Sequence, residues 1–354
     1  MIKCLMLLCY TCEKANCLMK KKILLFAAVA LSINCQSQEL VNMHGKPELY
    51  LDQQGKAFLK NVDEAFDLYP PTIEFSFQRK QALLLFDAVA HNTFYDKTSH
   101  LRDFATMRAG KVLVDLGKPF ENGVRLYKIY NDGFIIRTKG LTFAVDLNSR
   151  AGTIVSEEVM SQLVNHCAGL FITHNHSDHY DLKVVDMFKS QGKPVYAIDE
   201  FRPDDPDIIH CYPPVPGKSR DLDAALGGTS MKVRIFPGHQ GDLQDNNYLF
   251  YLPEGYTVAH IGDQFLDNDM EWIDHVHEEV DIDVLIMECW INQEPRAIAG
   301  YGPKLIVSGH ENEMGHTIDH REAFWLTYLK MEKVYKVQTP HVIMGWGEWF
   351  TYRK

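Results

Sequence analysis

The segment His174-Asn175-His176-Ser177-Asp178-His179-Tyr180-Asp181 places four potential metal-binding side chains within six residues, directly after the apolar run Leu170-Phe171-Ile172-Thr173. In extended chain, positions i and i+2 project to one side, so His174 and His176 can serve one ion together. Asp178 and His179 begin the turn into a helix marked by Leu182, Val185 and Phe188, with Gly192 beyond it, and can serve a neighbouring ion. Three further apolar runs stop just short of a candidate ligand: Val233 to Phe236 before His239, Tyr256 to Ile261 before Asp263, and Lys304 to Val307 before His310. Imidazole and carboxylate donors with no cysteine beside them suit Zn²⁺ and also accept Mn²⁺ or Fe²⁺. Two such ions about 3.5 to 4 Å apart bring the pKa of a shared water from about 15.7 toward neutrality, so hydrolysis at pH 7 needs no serine or cysteine nucleophile. The same ions polarise a scissile carbonyl or phosphoryl oxygen.

For ligands so distant in sequence to meet, the four strands that precede them must end at one edge, where sites collect outside the carboxyl ends of strands. The chain has the texture for this. From about Pro47 to Arg108 apolar residues fall at helical spacing, as in Ala82, Leu85, Phe86 and Val89 after Phe75, with Pro70-Pro71 as a break, which predicts two or three helices. From Arg125 the pattern changes to short strands and turns: Leu126 to Tyr130, Asn131-Asp132-Gly133, Phe134 to Arg137, then Leu141 to Val145. Helical stretches and apolar strands then alternate to about Val342, which argues for an α/β fold with a mixed sheet covered by helices.

Composition narrows the partners. The 354 residues are 46% hydrophobic, enough for a large core, and carry 36 basic against 47 acidic side chains. That net charge of -11, without a long basic run beyond the leader, argues against a nucleic-acid partner, and a small-molecule substrate is the expected one. Lys20-Lys21-Lys22 followed by the apolar Ile23 to Ile33 reads as a signal peptide, too short to span a bilayer as a helix. Met19 marks a second possible start. Leu31-Ser32-Ile33-Asn34-Cys35 is close to a lipoprotein box, and a soluble export product is the other reading. The expectation is a bacterial export product, periplasmic or an outer-membrane lipoprotein, touching membrane only through a lipid on Cys35. Five of the eight cysteines lie in the first 35 residues, and Cys167, Cys211 and Cys289 make no disulfide framework.

His174-x-His176-x-Asp178-His179, a later His239, Gly262-Asp263 after a strand and a final His310 together resemble the metallo-β-lactamase superfamily, over about Arg125 to the C-terminus. The resemblance implies an αββα sandwich carrying a helical N-terminal extension. It divides the chain into a leader (1–38), the extension (39–115) and the metallo-β-lactamase-like domain (116–354). It further implies His174, His176 and His239 on one metal, Asp178, His179 and His310 on the second, and Asp263 bridging both. Asp178 would also orient the attacking hydroxide and protonate the leaving group. Within the superfamily the motif is most similar to the ascorbate-6-phosphate lactonase and N-acyl phosphatidylethanolamine phospholipase D branch, which implies ester or lactone hydrolysis. Phosphodiester cleavage on phospholipid-like substrates is the alternative enzyme, and a metal-binding protein without turnover is the alternative outside enzymes.

Several residues have two readings. His316 competes with His310 as ligand or touches substrate, and the strand end favours His310. Glu288 and Trp290, after the run Val284 to Met287, face the cleft mouth or simply pack. Asp181 supports a ligating imidazole or caps the following helix. His260 is read as a core histidine or one that supports a metal ligand, and the extension from Lys46 to about Gly110 as a place where substrate specificity could lie.

Overall fold

The computed structural model describes residues 45–74 and 76–354; the leader, Met19, Cys35 and Phe75 lie outside the described residues. The chain divides into two units, residues 1–54 and 55–354, and the account below concerns the second. Among the described residues no helix is long and apolar enough to cross a membrane.

Three helices come first: α1 (Pro47–Leu68), α2 (Phe77–Ala90) and α3 (His100–Leu116). Ser76 starts α2 by accepting a hydrogen bond from the Arg79 amide at 3.3 Å, as a cap residue with a hydroxyl should. Then come β1 (Val124–Tyr130), β2 (Gly133–Arg137), β3 (Thr142–Val145), α4 (Glu157–His166), β4 (Leu170–Phe171), α5 (Leu182–Ser190), β5 (Val195–Ala197) and β6 (Ile208–His210). With β14 (Glu348–Tyr352) these strands form one sheet in the order β14-β1-β2-β3-β4-β5-β6. The second sheet contains β7 (Arg220–Leu226), β8 (Thr229–Gln240), β9 (Leu243–Tyr251), β10 (Thr257–His260), β11 (Val284–Glu288), β12 (Leu305–Gly309) and β13 (His341–Val342), in the order β13-β12-β11-β10-β9-β8-β7. Each sheet is antiparallel in one half and parallel in the other, the parallel pairs being β3-β4, β4-β5 and β5-β6 in the first and β10-β11, β11-β12 and β12-β13 in the second.

Strand periodicity assigns the layers. On β1 and β2, Leu126 and Ile136 point into the space between the sheets, where they meet Ile235, Phe250, Val258 and Ile286. Their neighbours Tyr127 and Ile135 point the other way, onto Phe66, Phe86, Phe104 and Val112 of the three N-terminal helices. On the far side of the second sheet Leu249, Ala259, Leu285 and Ile306 pack against Ile273, Ala297 and Tyr301. Both sheets are thus buried on both faces, giving the order helix, sheet, sheet, helix. The N-terminal helices pack onto the first sheet as an extension, their apolar side chains and those of β1, β2 and α4 forming one continuous core. The buried Arg79 of α2 also grips Glu348 of β14 through two hydrogen bonds of 2.7 and 2.5 Å.

Candidate metal centre

The ligand loop begins where β4 ends. Its backbone is stitched to the second sheet by a bridge between His174 and Asp245 and by the Asn246 amide donating to the Thr173 carbonyl at 2.8 Å. His174 is fully buried, and its ring centre lies 4.8 Å from that of His176 and 4.1 Å from that of His179. His310 follows β12 in the left-handed backbone region (φ 69°). Asp263 follows β10 through Gly262 (φ +51°), where an added Cβ would sit 2.4 Å from Oδ1 of Asp245, so glycine is required there for both space and conformation.

These elements bring six of the seven expected residues together. Asp178, His179, Asp263 and His310 form one group of donor atoms within 4.8 Å of one another, and His174, His176 and Asp263 form a second. Asp263 belongs to both. Its Oδ1 is 3.1 Å from Nε2 of His179, and its Oδ2 is 3.5 Å from Nε2 of His310 and 3.7 Å from Nε2 of His174. Nε2 of His310 also lies 3.0 Å from Oδ2 of Asp178. The buried Nε2 of His174 has no hydrogen-bond partner, which is costly unless a cation or proton satisfies it. The donor set therefore fits two divalent ions sharing one carboxylate.

Charge sets the protonation of the centre. Burial lowers the pKa of His174 to about 3, so its ring is neutral, the form that ligates. Burial acts the same way on His310, yet the carboxylates of Asp263 and Asp178 outweigh it and lift the ring to about 10. His179 is raised as well, by Asp263 and Asp178 against burial. Asp178 and Asp263 are held below the usual carboxylate range, since the adjacent imidazoles outweigh the burial of each group.

The seventh expected ligand, His239, is placed elsewhere. Its Nδ1 lies 3.1 Å from both carboxylate oxygens of Asp269 and its Nε2 3.0 Å from the Tyr212 hydroxyl. It faces a separate cavity of about 930 Å³ with Tyr212, Asp269 and Trp272. The reason is strand alternation: one residue further along β8, Gln240 points the opposite way and donates through Nε2 to Oδ2 of Asp263 at 3.0 Å.

Other residues resolve their two readings. Asp181 caps α5 by accepting from the Lys183 amide at 2.9 Å and also binds the Ala151 amide at 2.8 Å, and it touches no ligating ring. Imidazole support comes instead from Asp146, at the end of β3, whose Oδ2 is 2.8 Å from Nδ1 of His179 while its Oδ1 accepts from the Thr173 amide at 2.8 Å. The available signal in the sequence was a carboxylate directly after the apolar run of Thr142 to Val145. His260 is a core histidine, fully buried, with Nε2 3.1 Å from the Asp132 carbonyl. His316, Glu288 and Trp290 line a cavity of about 420 Å³ over the metal ligands, with Phe265 and His320. Glu288 is buried, and that burial, reinforced by the charge of Asp263, pushes its carboxyl well above its ordinary value. The N-terminal helices supply no lining residue to this cavity. They act from behind: Asn312, two residues after His310, donates to Asp87 of α2 at 2.9 Å and lies 2.9 Å from Nε2 of His91.

No family model matches the sequence, and no curated protein matches it. Solved structures do share its architecture. Igni18, a metallo hydrolase from the archaeon Ignicoccus hospitalis, is 17% identical, covers 66% of this chain and all of its own, and superposes with a TM-score of 0.51. This is the metallo-β-lactamase fold. CmlA, a diiron β-hydroxylase from Streptomyces venezuelae, is 16% identical over 67% of this chain and 55% of its own, with a TM-score of 0.48. A Thermotoga maritima protein ascribed to the metallo-β-lactamase superfamily is 14% identical over 58% and 85%, with a TM-score of 0.34.

Proposed function

We propose that the chain is an exported metal-dependent hydrolase with a dinuclear centre, acting on an ester, a lactone or a related acyl bond. The observation that carries this reading is the sharing of Asp263 by two groups of donors, one built on Asp178, His179 and His310 and the other on His174 and His176. When bound, a pair of Zn²⁺, Mn²⁺ or Fe²⁺ ions supplies an ionised water near neutral pH and polarises the scissile carbonyl. The chain's own residues do the rest. Asp178 lines the cavity, where a carboxylate oxygen not engaged by the metal would orient the attacking water and relay its proton to the leaving oxygen. Phe265 and Trp290, 47% and 40% exposed at the rim, offer apolar walls. Among the described residues neither lysine nor arginine lines the cavity, so the charge of an anionic substrate would be met there by the metal ions and the imidazoles.

The test is turnover by the metal-loaded full chain on neutral lactones and esters, phosphodiesters and β-lactams, with Asp178→Asn alongside. Lactone or ester cleavage that drops about 10²- to 10⁴-fold in the variant is expected for loss of a positioned acid–base group. Preferential phosphodiester cleavage would replace the substrate assignment, and tight metal binding without turnover on any arm would leave a binding protein. Export is read from Lys20-Lys21-Lys22 and Ile23 to Ile33, and labelling Cys35 with a radioactive lipid precursor in a bacterial host separates an anchored from a soluble product.

A further inference from the structure

The loop after β12 carries a second histidine beyond the expected ligand His310. The rings of His316 and His310 stand 5.6 Å apart between centres at 35°, and His316 borders the same cavity of about 420 Å³ as Asp178, Asp263 and His310. The backbone beneath the His316 ring is fixed from both sides. Its amide donates to Oε2 of Glu313 at 2.6 Å, and Oε1 of the buried Glu313 accepts from Arg150 at 2.7 Å and from the Tyr130 hydroxyl at 3.0 Å. Its carbonyl accepts from Nε of Arg321 at 3.0 Å, and the same guanidinium donates to the Ala90 carbonyl at 2.6 Å. A ring braced in this way through its backbone needs little further ordering when a substrate arrives.

The ring has no such tie of its own at Nδ1, which is buried without a hydrogen-bond partner. Other polar walls of the cavity are committed: Gln240 donates to Asp263, Glu288 accepts from the Trp290 amide, and Nδ1 of His320 lies 3.1 Å from the Thr317 hydroxyl. Buried N–H groups without an acceptor are rarer in folded proteins than acceptors left unfilled, which places the proton of the neutral His316 ring on Nε2. The ring then has a donor to offer a substrate.

We infer that His316 is a catalytic residue that touches substrate, its imidazole donating a hydrogen bond to the scissile carbonyl oxygen as that oxygen gains negative charge. The inference rests on the hydrolase reading above and names the group that meets the charge. A substrate seated over Asp178, Asp263 and His310 lies against this ring, and among the described residues no lysine or arginine lines the cavity to take that part. As the oxygen of water bonds to the acyl carbon, the carbonyl electron pair moves onto the carbonyl oxygen. On collapse that pair re-forms the carbonyl, the bond to the leaving oxygen breaks, and the proton relayed by Asp178 goes to the leaving oxygen. His316 keeps its own proton throughout. A donor aimed at an oxygen whose charge grows is worth more in the transition state than in the ground state, so it acts on kcat more than on KM.

The full chain loaded with Zn²⁺ tests this on p-nitrophenyl butyrate and γ-butyrolactone, with metal content measured alongside. His316→Ala should keep the metal content of the wild type and lose about 10²- to 10³-fold in kcat with little change in KM, the scale of removing one oxyanion donor. His316→Gln retains a donor and should recover much of the loss, whereas His316→Phe retains only the packing against His310 and should not. An ion lost in His316→Ala makes the residue a ligand, full activity in that variant leaves it no catalytic part, and rescue by Phe but not by Gln reduces it to packing. Each of these overturns the assignment and leaves the hydrolase reading standing. A metal-loaded wild-type chain that cleaves neither substrate overturns both.

Discussion

His310 and His179 keep their protons in a nest of carboxylates, and a metal ion must displace them. With His310 at about 10 and His179 also raised, both rings of the metal-free chain are cationic at neutral pH, whereas ligation needs the neutral form. Binding should therefore release protons, and the apparent affinity for Zn²⁺ should climb as pH rises toward about 10. Calorimetry at pH 7.5 in buffers of different ionisation enthalpy measures the release, and identical heats in all buffers would refute it. By linkage, the metal-free fold has the full benefit of the His310 proton below the ordinary histidine value of 6.5 and loses it as pH rises through about 10. Asp146 gives a second residue-scale expectation. Because it orients His179 and the start of the ligand loop together, Asp146→Asn should weaken metal binding by about 10- to 100-fold without touching a metal itself.

At the scale of elements, the loop after β12 is held from beneath by β1. Lys128 and Glu311 form an ion pair with both side chains fully buried, and Nζ of Lys128 also donates to the Ser308 carbonyl at 3.2 Å. Lys128→Met would strand the Glu311 charge, and urea unfolding should show a loss of about 3–5 kcal/mol, much of it recovered in Lys128→Met/Glu311→Leu. A single variant as stable as wild type would show that the pair does not hold the loop. The elements also mark how far sequence reading reaches. The strand ends before His174, Asp263 and His310 were legible as apolar runs meeting polar ligands. The choice between His239 and its neighbour was not, because adjacent positions of a strand look alike in composition and only pairing with β9 says which one faces inward. Asp146 was passed over for a related reason: its partners, the Thr173 amide and His179, lie 27 and 33 positions away along the chain.

At the scale of the whole molecule, the N-terminal helices and the first sheet share one core, with Phe86 4.8 Å from Trp346 and 5.6 Å from Phe104 between ring centres. Residues 55–354 should consequently unfold in a single calorimetric transition, and two separable transitions would show that the helices form an independent domain. The same packing assigns the helices a mechanical part, bracing the His310 loop through Asp87 and His91, where the sequence suggested specificity. The sequence by itself determined that potential metal donors would crowd together, because positions i, i+2, i+4 and i+5 after an apolar strand depend only on local geometry, and it determined the alternation of strands and helices that makes a layered α/β fold. Tertiary structure alone decided which donors stand within reach of one ion, which face His239 and Gln240 present, and what walls the cavity, because those depend on strand register and on contacts between segments as far as 132 residues apart.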